Sequence, residues 1–533
     1  MRPEIILRGG RVIDGKGGPA RDADVGLASG RIVAMGHLPP VAEAREIDAQ
    51  GLTVAPGFID IHSHSDLTLL VDPRAASAIA QGVTTEVVGN CGHGCAPVCD
   101  PAMARVAIYG PVHAVAFGWR SVAGYFEHLA AARPAVNVLA LVPNGQLRLA
   151  AVGSASRPAT SEELADMVRR LEEGLEQGAA GFSTGLEYAQ ESGASEQEIT
   201  ALCAVVARRG ALYATHTRDR DEHAAEAVQE AVRTARATGV RLQVSHIVPR
   251  SGPAITARCI EAVQAAQRDG LDADFDMHTR FFGFTHLKNL LPGWAFDGGA
   301  EALTSRLRDA SLHSRFAEHR NLITSLGDWN RVLLVHSDRF EALNGRSLLE
   351  IGKVWSLPPF EAALRILLGH ADDILRPKVI LQSYSEMLLR DTYAHSTCMI
   401  GSDATTLSPH GPLAEEVFYG AYTWAAWFYR RMVRETGMLS PEAAIARLSA
   451  LPARKLGLTD RGVLEVGARG DLIAFEPAEF GEMGTVAQPN RLAKGMRHVI
   501  VNGIVTMQHG VFTGERGGAV IRRVRGRYES SQG

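Results

Sequence analysis

The chain is poor in several features that mark specialised classes of protein. Its 533 residues include only six cysteines, too few for a disulfide scaffold, and no apolar run reaches the roughly 18 residues of a membrane-crossing helix. The first apolar run, at residues 5–7, is also too short for a signal peptide. These absences predict a cytoplasmic globular protein.

Neither sign of charge is in excess. The 55 basic and 59 acidic residues give a formal net charge of −4, so the broad positive surface that binds nucleic acid or anionic membrane is not expected. We therefore predict a small-molecule partner rather than nucleic acid or a membrane. The composition leaves homo-oligomer formation open.

The two ends of the chain share one sequence pattern. Residues 4–55 alternate short β-type runs with glycine turns, and the same pattern returns at Gly470–Phe475 and His498–Val505. We predict that residues 1–55 and 455–525 together form a small β-sandwich.

The middle of the chain has a different organisation. Over residues 56–454, short apolar runs alternate with longer amphipathic ones, which predicts repeated βα units around a parallel sheet, as in an α/β barrel. The amphipathic pattern of Ser161–Gln177 predicts a helix. Residues 281–345 fit the alternation poorly and are predicted to be an insertion or lid within the barrel.

A pair of histidines gives the strongest chemical signal. His62 and His64 follow a Pro-Gly turn at residues 56–57, and residues two apart in an extended strand project to the same side. A single histidine is more often a hydrogen-bonded core residue than a ligand, but a pair at this spacing favours metal binding.

Four more residues each close an apolar run: Cys91, His216, His246 and Asp403. Strand ends of this kind form the catalytic face of an α/β barrel. Imidazole and thiolate are ligands that suit Zn²⁺, and an aspartate that binds metal or accepts a proton from water would complete a hydrolytic centre.

Taken together, these motifs resemble those of the amidohydrolase superfamily and, within it, the N-acyl-D-amino-acid deacylases (D-aminoacylases). The resemblance covers nearly the whole chain. Beyond the residues already named, it rests on the segments Gly57–Asp66, Gln81–Thr85, Gly89–Gly92, Gly181–Tyr188, Leu291–Trp294 and Leu451–Ala453.

The resemblance implies a TIM-type (β/α)8 barrel flanked by the small β-sandwich, with one or two divalent ions, zinc by preference. It implies His62, His64, Cys91, His216 and His246 as metal ligands, and Asp403 as the acid/base that moves a proton from water to the leaving nitrogen. Cys91 would replace the carboxylated lysine that bridges two metals in many amidohydrolases. No lysine lies between Lys16 and Lys288, so that stretch cannot form a carbamate.

The substrate side departs from the deacylase pattern. Where a typical deacylase has a carboxylate-binding lysine two residues after the second metal histidine, this chain has Val248, and an Asp-x-Tyr-Pro-Tyr stretch is replaced by Asp276–Arg280. Because guanidinium groups bind carboxylates bidentately, candidates for substrate binding are Arg148, Arg218, Arg250 and Arg280. His278 is a further candidate because its segment is expected near the substrate. Alternatively, these arginines are ion-pair partners at the barrel rim, and the substrate has no free α-carboxylate.

Three functions follow. The first is hydrolysis of a linear C–N amide bond, with an N-acyl-D-amino acid or related N-acyl amine as the small-molecule substrate. The second is hydrolysis of a carboxylate-free or cyclic amide, and the third is an inactive structural relative.

Two further predictions concern the residues around Cys91 and the polar run at residues 220–223. His93, Cys95 and Cys99 lie close to Cys91; we predict one ligand cysteine with two bystanders rather than a cysteine-rich metal knuckle. The polar run Arg220–His223 reads as the start of a helix.

Overall fold

Eight short strands recur along the middle of the chain and pair in parallel. The computed structural model describes residues 1–98, 107–111, 114–486 and 488–531. Numbered in chain order, the eight strands are β1 (Phe58–Asp60), β2 (Val83–Val88), β3 (Asn137–Pro143), β4 (Gly181–Gly185), β5 (Leu212–His216), β6 (Arg241–Val244), β7 (Ala273–Met277) and β8 (Cys398–Ile400).

The strands pair in the order β1 to β8, and a parallel bridge between Ser63 and Ala404 joins the segments that follow β1 and β8. This bridge nearly closes the sheet, so the predicted α/β barrel is confirmed. Every residue of β2, β3 and β4 is buried, which is typical of parallel strands covered on both faces.

Helices surround the barrel. They are Thr68–Val71, Ala76–Ile79, Val122–Ala132, Asn144–Ala151, Ser161–Glu176, Glu196–Arg208, Ala224–Thr238, Pro253–Arg268, Glu386–Ala394, Trp424–Tyr429, Pro441–Leu448 and Ala450–Leu456, with a π-helical turn at Arg430–Glu435. The predicted helix at residue 161 begins there because Thr160 and Glu163 form a capping box. Its buried residues Met167, Leu171 and Leu175 recur every four positions and form one face.

Strands from both chain ends form one nine-stranded sheet. Its strands are Ile5–Val12, Arg21–Ala28, Arg31–Gly36, Arg45–Asp48, Thr53–Pro56, Leu472–Phe475, Met496–Val501, Ile504–Gln508 and Val511–Phe512. Antiparallel pairing of Thr53–Pro56 with Leu472–Phe475 joins the two ends. The last hairpin, Val520–Val524 and Arg527–Ser531, instead pairs with the barrel, where Val520 lies opposite Val138 of β3.

The connection between β7 and β8 is long and has its own core. It contains an antiparallel sheet of Gly283–His286, Lys378–Leu381 and Val332–His336, in that order. Its helices are Gly299–Arg308, His313–Ala317, Leu348–Trp355 and Pro359–Gly369, with short 3₁₀ turns at Leu287–Leu290, Gly293–Phe296, Ala310–Leu312, Thr324–Leu326, Trp329–Arg331 and Glu341–Leu343. The insertion predicted at 281–345 falls within this connection.

Among the described residues, no helix is both long enough and apolar enough to cross a membrane.

Candidate metal centre

Six side chains predicted from separate parts of the sequence meet at the carboxyl ends of the barrel strands. One ligand atom each from His62, His64, Cys91 and Asp403 lies within 4.8 Å of the others, and the same holds for Cys91, His216 and His246. Cys91 belongs to both groups and therefore lies between them. Its sulfur is 3.1 Å from His62 Nε2 and 3.5 Å from His246 Nε2.

The local backbone differs from a simple strand at these positions. β1 ends at Asp60, so His62 and His64 lie in the irregular segment that follows it rather than in an extended strand. Cys91, His246 and Asp403 have positive φ angles of 55°, 35° and 44°. Non-glycine residues seldom adopt this conformation, and it occurs preferentially at functional sites, where the surrounding structure holds it.

Two of the histidines are oriented by buried carboxylates. His62 Nδ1 lies 3.1 Å from Asp276 Oδ1, and His216 Nε2 lies 2.8 Å from Glu187 Oε2. A ring N–H that donates to Glu187 leaves His216 Nδ1 as the nitrogen with the free lone pair, and this atom is buried without a partner among the described residues. A carboxylate that fixes the tautomer of a ligand histidine is usual around protein-bound metals.

The donor set therefore fits a divalent ion. A buried lone pair without a partner, further imidazole nitrogens and a thiol combine the nitrogen and sulfur ligands that zinc prefers, and the Asp403 carboxylate adds oxygen. Without such an ion the unpaired His216 nitrogen would be a costly buried polar atom.

The charges of the site are set by close neighbours. Burial opposes ionisation of Asp403, but Arg280, His64 and His62 together hold the pKa of its carboxyl well below the usual range. Burial raises the pKa of the Cys91 thiol, although His62 opposes this shift. Asp403 is therefore a carboxylate at neutral pH, whereas the Cys91 thiolate depends on a cation beside it.

Three of the predicted substrate-binding residues lie near the centre but already have protein partners. Arg280 Nη2 donates to Asp403 Oδ2 at 2.7 Å, and its Nη1 donates to a backbone carbonyl at 2.6 Å. Arg250 is buried between Glu187 and Asp221. The His278 Nε2 atom lies 4.0 Å from Asp403 Oδ2.

The other two predicted residues lie outside the cavity at the centre. Arg218 donates to both carboxylate oxygens of Glu230, at 2.9 and 2.7 Å. Arg148 is fully buried, pairs with Glu198, and donates to two backbone carbonyls. Both arginines therefore form their ion pairs away from the cavity in this fold.

Replacing Arg148 with methionine is expected to lower the free energy of unfolding by about 3–5 kcal/mol, because Glu198 would remain as a buried, unpaired charge. Activity per folded molecule should not change. Urea denaturation and active-site titration measure the two effects. Arg209→Met, which breaks an exposed pair with Glu176, is the matched control and should cost less than about 1 kcal/mol. A loss of kcat/KM with unchanged stability would instead indicate that Arg148 contributes to substrate binding.

The histidine and cysteines beside Cys91 have different surroundings. His93 Nδ1 donates to the Cys91 carbonyl at 2.9 Å, and its Nε2 lies 3.3 Å from Gln190 Nε2. Both ring nitrogens therefore have protein partners. Cys95 is buried in the main core, and Cys99 lies outside the described residues.

The central cavity lies beside these groups and is closed partly by the insertion. Its lining includes His64, Tyr109, Tyr188, His216, Arg220, His246, Arg250, His278, Phe284, Thr285, Tyr384, Asp403 and Phe418. No sequence motif predicted a role in the site for Tyr109, Arg220 or Tyr384. Tyr188 stood in a motif without a role, and its ring centroid lies 4.7 Å from that of His216.

The barrel, with a buried nitrogen, sulfur and oxygen donor set at the carboxyl ends of its strands, has the architecture of a metal-dependent α/β-barrel hydrolase. Comparison with known proteins narrows this class. The amidohydrolase family model matches residues 45–287 and 371–507. The chain therefore belongs to the amidohydrolase family.

Several individual proteins are similar along nearly the whole chain. An N-acyl-D-glutamate deacylase of Alcaligenes xylosoxydans xylosoxydans is 34% identical over 98% of this chain and 96% of its own length. A D-aminoacylase of the same organism is 31% identical over 98% of each. The crystal structure of N-acyl-D-glutamate deacylase from Bordetella bronchiseptica, in complex with zinc and a phosphonate inhibitor, has a TM-score of 0.81 at 29% identity and covers 98% of this chain and 100% of its own.

Proposed function

We propose that this protein removes the acyl group from an N-acyl-D-amino acid or a related N-acyl amine by hydrolysis of a linear C–N amide bond. One observation carries the proposal: His62, His64, Cys91, His216 and His246 converge with the ionised carboxylate of Asp403 beside one cavity. Similarity to deacylases over the full chain supports the choice of substrate.

The residues that would hold metal divide into two sets that share Cys91. His62 and His64 would bind one divalent ion, and His216 and His246 would bind a second, with the Cys91 thiolate between them. When bound, zinc would polarise the scissile carbonyl and lower the pKa of water to about 7.

Asp403 would carry the proton. Its Oδ1 faces His64 Nε2 at 3.3 Å, whereas Oδ2 is held by Arg280 at 2.7 Å, so the carboxylate is fixed in orientation. It would accept a proton from the attacking water as the new C–O bond forms, and return it to the nitrogen as the C–N bond breaks. The products are a carboxylic acid and a free amine.

A second candidate has a specific observation in its favour. The arginines predicted to bind a substrate carboxylate have protein partners, which agrees with a carboxylate-free or cyclic amide as substrate. The third interpretation, an inactive structural relative, predicts no turnover of either kind.

A substrate panel on zinc-loaded protein tests these functions. We expect release of free D-amino acids from N-acetyl-D-amino acids. The L-enantiomers should react about 10²-fold more slowly, because a rigid site can position the reacting amide correctly for only one enantiomer. Chromatographic detection of the released amino acid measures both rates. Hydrolysis of carboxylate-free or cyclic amides alone would replace the deacylase proposal with the second candidate, and absence of turnover throughout would favour the third.

A further inference from the structure

Arg220 differs from the other arginines of the site because its charge has no carboxylate partner. Of the described residues, two arginines and no lysine line the central cavity, and they are Arg220 and Arg250. Arg250 is held by Glu187 and Asp221, at 2.9 Å for Asp221. Arg220 forms no ion pair with any described residue, although only 7% of its surface is exposed.

The guanidinium of Arg220 is fixed through one of its nitrogens. Nη2 donates to the carbonyl oxygens of His246 and Val248, at 2.7 and 2.8 Å, and lies 3.1 Å from the Tyr384 hydroxyl. Nε and Nη1 have no acceptor among the described residues. These donors belong to a residue that lines the cavity one hydrogen bond away from His246.

A second buried arginine, Arg447, has hydrogen-bond acceptors for all of its guanidine nitrogens. Arg447 is also 7% exposed and has no carboxylate partner, but all three of its guanidine nitrogens donate to backbone carbonyls, at 3.0 to 3.3 Å. Arginine stays charged when buried, and a nearly buried charge without a counter-ion is costly. Neither Nε nor Nη1 of Arg220 is among the side-chain atoms that are buried without a partner, so both donors remain open to an acceptor from outside. The free donors of Arg220 therefore indicate an anionic acceptor that enters the cavity from outside.

We propose that Arg220 binds a carboxylate of the substrate and holds the amide beside the metal centre. This inference rests on the proposed function and makes it more specific, because it favours a substrate with a carboxylate over a neutral amide. The α-carboxylate of an N-acyl amino acid is the group that it would bind. Tyr384 belongs to the long connection between β7 and β8, so this connection helps to position the Arg220 guanidinium.

The test compares acid and amide substrates on the same enzyme preparation. Zinc-loaded wild-type protein, Arg220→Met and the control Arg447→Met are assayed with N-acetyl-D-leucine and with its α-carboxamide. We expect the wild type to prefer the acid, and Arg220→Met to lower kcat/KM for the acid by about 100-fold, mainly through KM, while the value for the carboxamide changes less than about threefold. Because each ratio comes from one preparation, partial unfolding cancels.

Arg447→Met should lower both substrates equally and preserve the ratio. If Arg220→Met does not fold, Arg220→Gln, which keeps an amide donor toward the two carbonyls, is judged by the same ratio. A further substrate, an N-succinyl amine without a carboxylate on its amine half, shows which half of the substrate Arg220 binds; a selective loss with either acid supports the proposal.

Two results would overturn it. A wild-type ratio for both acids in the neutral Arg220 variants would show that the guanidinium only supports the loop around His246. A wild type without preference for either acid would show that no carboxylate is recognised. If the wild type hydrolyses neither acids nor amides, the proposed function itself fails and the role of Arg220 fails with it.

Discussion

Asp403→Asn is expected to lower kcat by about 10²–10⁴-fold, because the amide cannot accept a proton from the attacking water. The substitution keeps the size of the side chain and an oxygen that accepts the hydrogen bond from Arg280. The fold should therefore persist, and KM should change far less than kcat. Steady-state kinetics on zinc-loaded protein measures the effect, and circular dichroism confirms the fold.

Asp372→Asn provides the matched control for Asp403→Asn. Asp372 is a largely exposed carboxylate that pairs with Arg339 and belongs to neither donor group, so its substitution should leave kcat unchanged. If Asp403→Asn retained more than about a tenth of wild-type kcat, another group would have to move the proton, and the assignment of Asp403 would be wrong.

The sequence is sufficient to predict the barrel and the convergence of the donor set. Buried parallel strands are nearly continuous apolar runs, and the residue that closes each run lies at the catalytic end by the geometry of the fold. Cys91, His216, His246 and Asp403 therefore meet although they are far apart in the chain. No knowledge of side-chain packing is needed for that step.

The partners of the charged residues could not be predicted in the same way. Arg148 pairs with a residue 50 positions away, and Arg280 pairs with one 123 positions away. Nothing in the local pattern distinguishes an arginine with a buried carboxylate partner from one with free donors. The residues that recognise the substrate can therefore be proposed only from the fold, which shows which arginines already pair with a carboxylate of the protein.

Arg220 illustrates the same limit at one residue. The polar run Arg220–His223 precedes a helix that begins at Ala224, as the sequence indicates. A residue just before a surface helix is normally solvated, yet the Arg220 side chain reaches the carbonyls of His246 and Val248 after β6 and is buried. The contact depends on the neighbouring βα loops of β5 and β6, which local sequence does not specify.

The position of Cys91 in both donor groups leads to the second large effect. Cys91→Ala is expected to lower the bound zinc per chain and to reduce kcat/KM by more than about 10²-fold, because one substitution removes a donor from each group. Loss of partners that merely orient a ligand already costs about 10–100-fold in metal affinity or activity. Metal analysis after dialysis and steady-state kinetics measure the two quantities.

Cys203→Ala is the matched control for Cys91→Ala, since Cys203 is a buried cysteine of the helix Glu196–Arg208 and lies outside both donor groups. It should keep the wild-type metal content and activity. Cobalt substitution gives a readout independent of turnover, because a thiolate ligand produces a charge-transfer absorption that Cys91→Ala should lose and Cys203→Ala should keep. If Cys91→Ala instead retained both this absorption and the full metal content, the ion would be held without the Cys91 sulfur, and the two donor groups would have to be redrawn as independent sites.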